Sequence, residues 1–253
     1  HYYSSGIEFK VYGRFMQKSP INKILLPTGS SFKNYYAFTL KHKLFTPIEI
    51  YTPQVQGIDH PYASYLLIGN QKESYSFRKR LKITSAFELG ILGKFSGGGY
   101  FQNTLHRNIS IAYHVEGWDT QVGNDLCLQY SAMIEKGVIN LYWLELNAYA
   151  GAKLGVPHTE AQLGAYLRFG IFDDYFKNIG ISKTTSWQFW LFLAGDIFIV
   201  NYNAAIQGGP YNQAEGRTLS FINSNVFHTR FGGTLVFKTF KMEIGQEVIT
   251  PTY

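Results

Sequence analysis

Apolar and polar residues alternate through most of this chain with a period of two. Between 160 and 171, Ala161, Leu163, Ala165, Leu167, Phe169 and Ile171 take one face, and Glu160, Gln162, Gly164, Tyr166, Arg168 and Gly170 the other. Tyr142, Leu144, Leu146, Ala148 and Ala150 alternate likewise with Trp143, Glu145, Asn147, Tyr149 and Gly151. Towards the end, Phe227, Phe231, Leu235 and Phe237 alternate with His228, Arg230, Thr234 and Lys238. Successive strand side chains point to opposite faces, so these runs predict a sheet with two unlike surfaces. Strands are expected near 3–16, 32–44, 62–77, 80–95, 124–135, 138–152, 160–172, 186–207, 226–238 and 239–249.

The gaps between these runs carry a second pattern. Glu135-Lys136-Gly137 and the bend near Pro157 read as tight turns, while longer insertions fall at 17–31, 45–61, 96–123, 173–185 and 208–225. Short and long connections are expected to alternate, turns on one side of the sheet and loops on the other. No composition break, repeat or low-complexity stretch divides the chain, so 1–253 reads as one domain.

An alternating sheet can face its apolar side inward, as a soluble barrel or sandwich, or outward against lipid, as a membrane barrel. The polar face here carries both signs of charge, in Glu8, Lys10, Glu88, Glu145, Glu160, Arg168, Arg230 and Glu243, which can pair inside a lumen. Gly and Ala recur within strands, and Tyr and Trp gather near strand ends as in an interfacial girdle. Several runs reach about ten residues, enough for a tilted strand to cross a bilayer. These features favour the membrane barrel.

Composition agrees. Charged residues are 16% and aromatics 17% of the chain, against about 25% charged in an ordinary soluble domain. The net charge of +6 is spread along the sequence and suits anionic headgroups; nucleic acid would suit it equally, but no zinc-finger spacing or basic helix is present. Cys127 stands alone and cannot form an internal disulfide. No run approaches the roughly eighteen apolar residues of a transmembrane helix. No signal peptide is visible, and the chain opens at His1 inside what already reads as a strand, as a processed or trimmed form would.

Candidate chemistry lies in the insertions. Gly97-Gly98-Gly99 offers a flexible lead-in, and Tyr100 to Ser110 is helix-compatible, which sets Gln102 and His106 on one face with Asn103 and Arg107 beside them. The plainer reading is a solvated loop helix with a surface histidine. Asp59-His60-Pro61 enters a strand, and Asp59 there reads most simply as a turn former. Tyr2-Tyr3-Ser4-Ser5-Gly6 is a polar strand start. No Gly-x-Ser-x-Gly elbow, phosphate loop, zinc spacing or EF-hand loop occurs. Histidine-assisted attack by water remains chemically open, since it needs only a base and an electrophile for the oxyanion.

Taken together, Tyr3-Ser4-Ser5-Gly6, Ile50-Tyr51-Thr52-Pro53, Asp59-His60-Pro61-Tyr62-Ala63, Gln102-Asn103-Thr104-Leu105-His106-Arg107 and Gly117-Trp118-Asp119-Thr120-Gln121 resemble the LpxR-type lipid A 3'-O-deacylase family of Gram-negative outer membranes. The resemblance runs over essentially the whole chain. It implies an all-β, antiparallel transmembrane barrel of about twelve strands, with a short helix in an extracellular loop and a site between that helix and the wall. On that count the ten strands lack one at each end. It also implies calcium-dependent hydrolysis of the 3' ester of lipid A in the outer leaflet of the bacterial outer membrane, by a monomer with no nucleic-acid partner. His106 then looks like the general base, with Gln102 and Ser4 beside it; Arg107, Asn103 and Asp59 look like substrate contacts. Calcium would act as Lewis acid on the carbonyl oxygen. Its ligands are not assigned, because the family's Asn-Asp pair would precede the first residue here. The carboxylate that some members carry after the histidine is matched by neither Ala112 nor Tyr113, and Glu116 is the substitute. Two other readings are a non-catalytic lipopolysaccharide-binding barrel of the same fold and a porin, the second disfavoured by the mixed-sign lumen.

Overall fold

Ten strands form a single antiparallel sheet in chain order: β1 (Tyr3–Tyr12), β2 (Lys33–Phe45), β3 (Ala63–Ser76), β4 (Leu81–Leu92), β5 (Asp125–Asn140), β6 (Leu144–Gly155), β7 (His158–Ile171), β8 (Thr184–Asn203), β9 (Asn225–Lys238) and β10 (Phe240–Ile249). Two helices, α1 (Gly98–Asn108) and α2 (Ala204–Gln207), sit in the connections. The computed structural model describes residues 3–47, 59–108, 115, 117–177, 184–212, 217–238 and 240–251, with backbone only at 3–5, 108, 184–186 and 238. Every expected strand is present, and most bounds agree within four residues, but β5 ends five residues later and β6 begins six residues later than expected. Among the described residues β1 and β10 pair on one side only.

The sheet curls around its polar face. The Tyr65 hydroxyl on β3 lies 3.2 Å from Nε2 of His158 on β7, a bond that spans the lumen. The opposite face carries exposed Phe9, Val11, Ile68, Leu89, Leu126, Leu163, Leu191 and Phe231, the apolar half of the alternation. A curled antiparallel sheet with a polar interior and an apolar exterior is the membrane-barrel arrangement.

Charges of both signs meet in the lumen as directly opposed partners. Lys82 and Glu135 are opposite across β4 and β5, 2.7 Å apart. Lys153 faces Glu160 across β6 and β7 at the same distance. Glu145 accepts from Nε of Arg168 at 2.6 Å, and from Arg80 at 2.6 Å. Asp196 takes hydrogen bonds from Tyr149 at 2.6 Å and Gln162 at 2.7 Å. Removing one partner of the buried Arg168–Glu145 pair typically costs about 3–5 kcal/mol, because the other charge stays behind unpaired.

Two details depart from the expected connections. Glu135-Lys136-Gly137 is no turn: β5 runs through it to Asn140, and the reversal closes at residues 141–143 with Leu141 N donating to Leu144 O at 2.8 Å. Gly137 marks instead a register shift, where a Cβ would stand 2.5 Å from Arg80 Nε and 2.8 Å from the Phe176 ring. The glycine is needed for close approach, not for reversal. Nor do short and long connections alternate strictly. The turn-side end also receives the long segment 13–32 and the segment after β7, while the short bend at Pro157 lies among the loops.

Candidate active site at the loop-side rim

Helix α1 docks on the outer wall of β2 and β3, at the end where most long loops lie. Ser64, His42 and Leu44, its neighbours there, share the parity of the exposed Phe38 and Ile68. The ring of Phe101 meets His42 edge-on at 5.5 Å. Leu44, Tyr62, Val115 and Trp118 form a buried cluster against which Phe101 packs. The lumen side of the same rim is closed by a second cluster, in which Ala63, Tyr65, Leu67 and Leu92 meet Ala204 and Ala205 of α2.

The glycine lead-in to α1 is a contact surface rather than a flexible stretch. A Cβ on Gly98 would fall 2.3 Å from the Cβ of Ser64, and one on Gly99 2.8 Å from Cγ of Trp118. Only Gly97, at φ +78°, uses the left-handed freedom of the residue. Side-chain bonds then lock the helix. Ser64 Oγ lies 2.6 Å from Ser96 Oγ, and Gln121 Nε2 donates to Trp118 O at 3.0 Å. Val115 N donates to Asn103 Oδ1 at 3.0 Å, tying Asn103 to the returning strand of the loop.

Gln102 is buried, and its Oε1 accepts from the indole Nε1 of Trp118 at 2.9 Å. An indole N–H can only donate, so the carboxamide must present oxygen to Trp118 and its NH2 to the opposite side. That NH2 has no partner among the described residues. His106 follows one helical turn later, half-buried, and Arg107 is exposed. Ser4 lies at a register irregularity of β1 between Tyr3 and Ser5, where Ser5 pairs with Leu44; its side chain is outside the described atoms. Ile50 to Pro53, Ala112, Tyr113 and Glu116 fall outside the described residues.

Asp59 and His60 lie just behind. Asp59 Oδ1 accepts from the adjacent His60 N at 2.8 Å; the bond two residues on that an Asx turn would make cannot form, because Pro61 has no N–H. The His60 ring stacks on Phe45 at 5.5 Å, and Nδ1 lies 2.6 Å from Pro61 O. A carbonyl only accepts, so Nδ1 carries the proton. Burial holds the His60 pKa below its ordinary value, partly offset by the bond to Pro61 and by Asp59.

The family of outer membrane protein LpxR matches residues 1–253. The chain belongs to that family. A solved structure of LpxR from Salmonella typhimurium superposes with a TM-score of 0.78 at 17% identity, covering 99% of this chain and 83% of that one. At that identity the likeness is one of fold. No curated protein sequence matches. This LpxR-family chain is thus an outer-membrane β-barrel protein, and its loop side is the extracellular one. The rim assembles three of the segments singled out in the sequence, 59–63, 102–107 and 117–121, around Trp118. The anchoring roles of Trp118, Ser64 and Ser96 were invisible beforehand, because no local spacing distinguishes a docking tryptophan from an exposed one.

Proposed function

We propose that this protein is a lipid A 3'-O-deacylase, hydrolysing the ester-linked 3' acyl or acyloxyacyl chain of lipopolysaccharide in the outer leaflet. The observation that carries this reading is the wall-docked α1 of an LpxR-family barrel, which holds His106 one turn from a carboxamide whose NH2 is oriented outward by Trp118. His106 takes a proton from water as the water oxygen attacks the ester carbonyl. The Gln102 NH2 donates to the oxygen on which charge develops. Collapse of the adduct breaks the acyl carbon–oxygen bond, the 3'-oxygen recovers a proton through His106, and a carboxylate departs. Asn103 keeps α1 on its loop, while Arg107, exposed beside the site, is placed to meet an anionic headgroup.

Calcium belongs to this reading through the family resemblance. Among the described residues, no three His, Cys, Asp or Glu side chains converge as a cation site. Calcium also takes carbonyl and amide oxygens, so its ligands are not assigned, and the steps above involve only the chain's own groups. The deciding experiment is incubation of the protein in detergent with lipid A, with calcium or with EDTA, followed by product masses. Loss of the 3' chain, dependent on calcium and absent in His106→Ala, is the expected result. Intact lipid A in every arm would overturn the assignment in favour of a non-catalytic lipopolysaccharide-binding barrel.

A further inference from the structure

The turn-side rim carries its charge unlike the rest of the barrel. From 13 to 32 and from 74 to 84 the chain holds seven Lys or Arg residues and no Asp or Glu. Two of the seven turn inward, Arg80 to Glu145 and Asp174, and Lys82 to Glu135. The other five, Arg14, Lys18, Lys23, Arg78 and Lys79, are exposed, and among the described residues none of them pairs with a carboxylate. In the lumen, by contrast, charges of both signs are matched.

These cations share one outward surface. Segment 13–32 crosses the outside of β3 and β4, where Asn70 Nδ2 donates to Ser19 Oγ at 2.6 Å and Leu26 N to Ser85 Oγ at 3.1 Å. Lys79 Nζ lies 5.6 Å over the ring of Phe32, which joins the turn between β3 and β4 to the end of that segment. Two short 3-10 turns, Arg14–Lys18 and Pro20–Lys23, carry three of the cations. Met16 and Leu25 are buried against the wall, while Phe15 is 65% and Ile24 52% exposed. Cations and bulky apolar side chains therefore alternate on the side that faces away from the barrel.

That combination selects the partner. A soluble acidic polymer would neutralise the cations but leave Phe15 and Ile24 in water. A lipid surface takes both, the apolar groups at the acyl boundary and the cations among the phosphates. The wall beneath is the lipid-facing one, so lipid is also the neighbour already in place. Unmatched positive charge favours a headgroup with a net negative charge over a zwitterionic one. We propose that the outward face of 13–32, with the adjoining turn at 77–79, docks anionic phospholipid headgroups of the periplasmic leaflet. This surface lies at the opposite end of the barrel from α1 and does not rest on the proposed hydrolysis.

A competition between two lipids tests it. The protein in neutral detergent is mixed with equal amounts of phosphatidylglycerol and phosphatidylcholine of identical chains, and the retained lipid is read by native mass spectrometry. A cation near an anionic surface is worth about fivefold in affinity, so phosphatidylglycerol should be retained at least about tenfold over phosphatidylcholine. Its binding should slow hydrogen exchange in 13–32 and leave 93–124 unchanged. Joint replacement by Arg14→Gln, Lys18→Gln and Lys23→Gln, all at exposed side chains, should bring the ratio towards one, whereas Lys94→Gln at the other rim should not move it. Equal retention of the two lipids by the unaltered protein overturns the proposal before any substitution is made. So does a preference that survives the triple replacement, or exchange protection confined to 93–124. A soluble peptidoglycan fragment that displaces phosphatidylglycerol from 13–32 would assign the surface to the cell wall and overturn the lipid.

Discussion

Two segments lie flat on the outer wall of the same strands, one at each end, and they are held by opposite means. At the extracellular end α1 docks through rings and glycines: Phe101 on His42, Gly98 on Ser64, Gly99 on Trp118. At the other end, residues 13–32 cover a stripe of β3 and β4 that is polar although it shares the apolar face. There Lys72 Nζ donates to Leu26 O at 2.9 Å, Asn70 Nδ2 to Ser19 Oγ at 2.6 Å, and Leu26 N to Ser85 Oγ at 3.1 Å. Asn22 closes the flap internally by donating to Met16 O at 2.7 Å. The polar flap satisfies wall residues that could not face hydrocarbon bare, whereas the apolar flap orients the Gln102 carboxamide and carries His106 one turn further on. The first is a cover, the second a mount.

Four experiments would break or sharpen that contrast. Trp118→Ala should have the largest effect, because it empties the anchor of α1 at a cost of about 3–5 kcal/mol. Residues 93–124 should become protease-sensitive and deacylation should vanish while the strand signal in circular dichroism persists; full turnover in this variant would mean the mount is dispensable. Gln102→Glu keeps an oxygen for Trp118 but removes the outward NH2, so kcat should fall about 10²–10³-fold with KM little changed. An unaltered kcat would confine Gln102 to holding the helix. Lys72→Met should loosen only the opposite flap, by about 1.5–3 kcal/mol, the worth of a hydrogen bond from a charged donor. Hydrogen exchange in 13–32 should rise without loss of turnover, and a matching loss would show that the two flaps are coupled through the wall.

The smallest effect concerns His60. Burial depresses its pKa in the folded rim, so the unfolded chain binds more protons there as pH falls below about 6.5, and stability is lost on the way down to the folded value. Full stabilisation is present above that window. His60→Gln should flatten the acid limb of a Tm-against-pH curve, where each kcal/mol amounts to about 2–4 °C. An unchanged limb would assign the acid sensitivity to other groups.

Strand order and the two faces could be read from the sequence because period-two alternation is a local property, repeated ten times over. The sites of reversal could not be read as well. Gly137 looks like a turn residue, yet the space it yields to Arg80 and Phe176 is set by residues more than thirty positions away in either direction. The same holds for Gly98 and Gly99, whose lack of a side chain serves Ser64 and Trp118. The one-face relation of Gln102 and His106 followed from helix spacing alone. Which end of the Gln102 carboxamide faces outward did not, because it depends on an indole sixteen residues later.

The position of α1 outside the wall, rather than over the lumen, has a kinetic consequence. A lipid arriving at His106 from the leaflet need not leave the bilayer, so its search is a two-dimensional one along the membrane plane. Under the proposed function, rate should follow the mole fraction of lipid A in the surface, not its bulk concentration. Diluting the substrate with inert phospholipid at constant total lipid A would slow the protein, just as packing more lipid A into fewer vesicles would speed it.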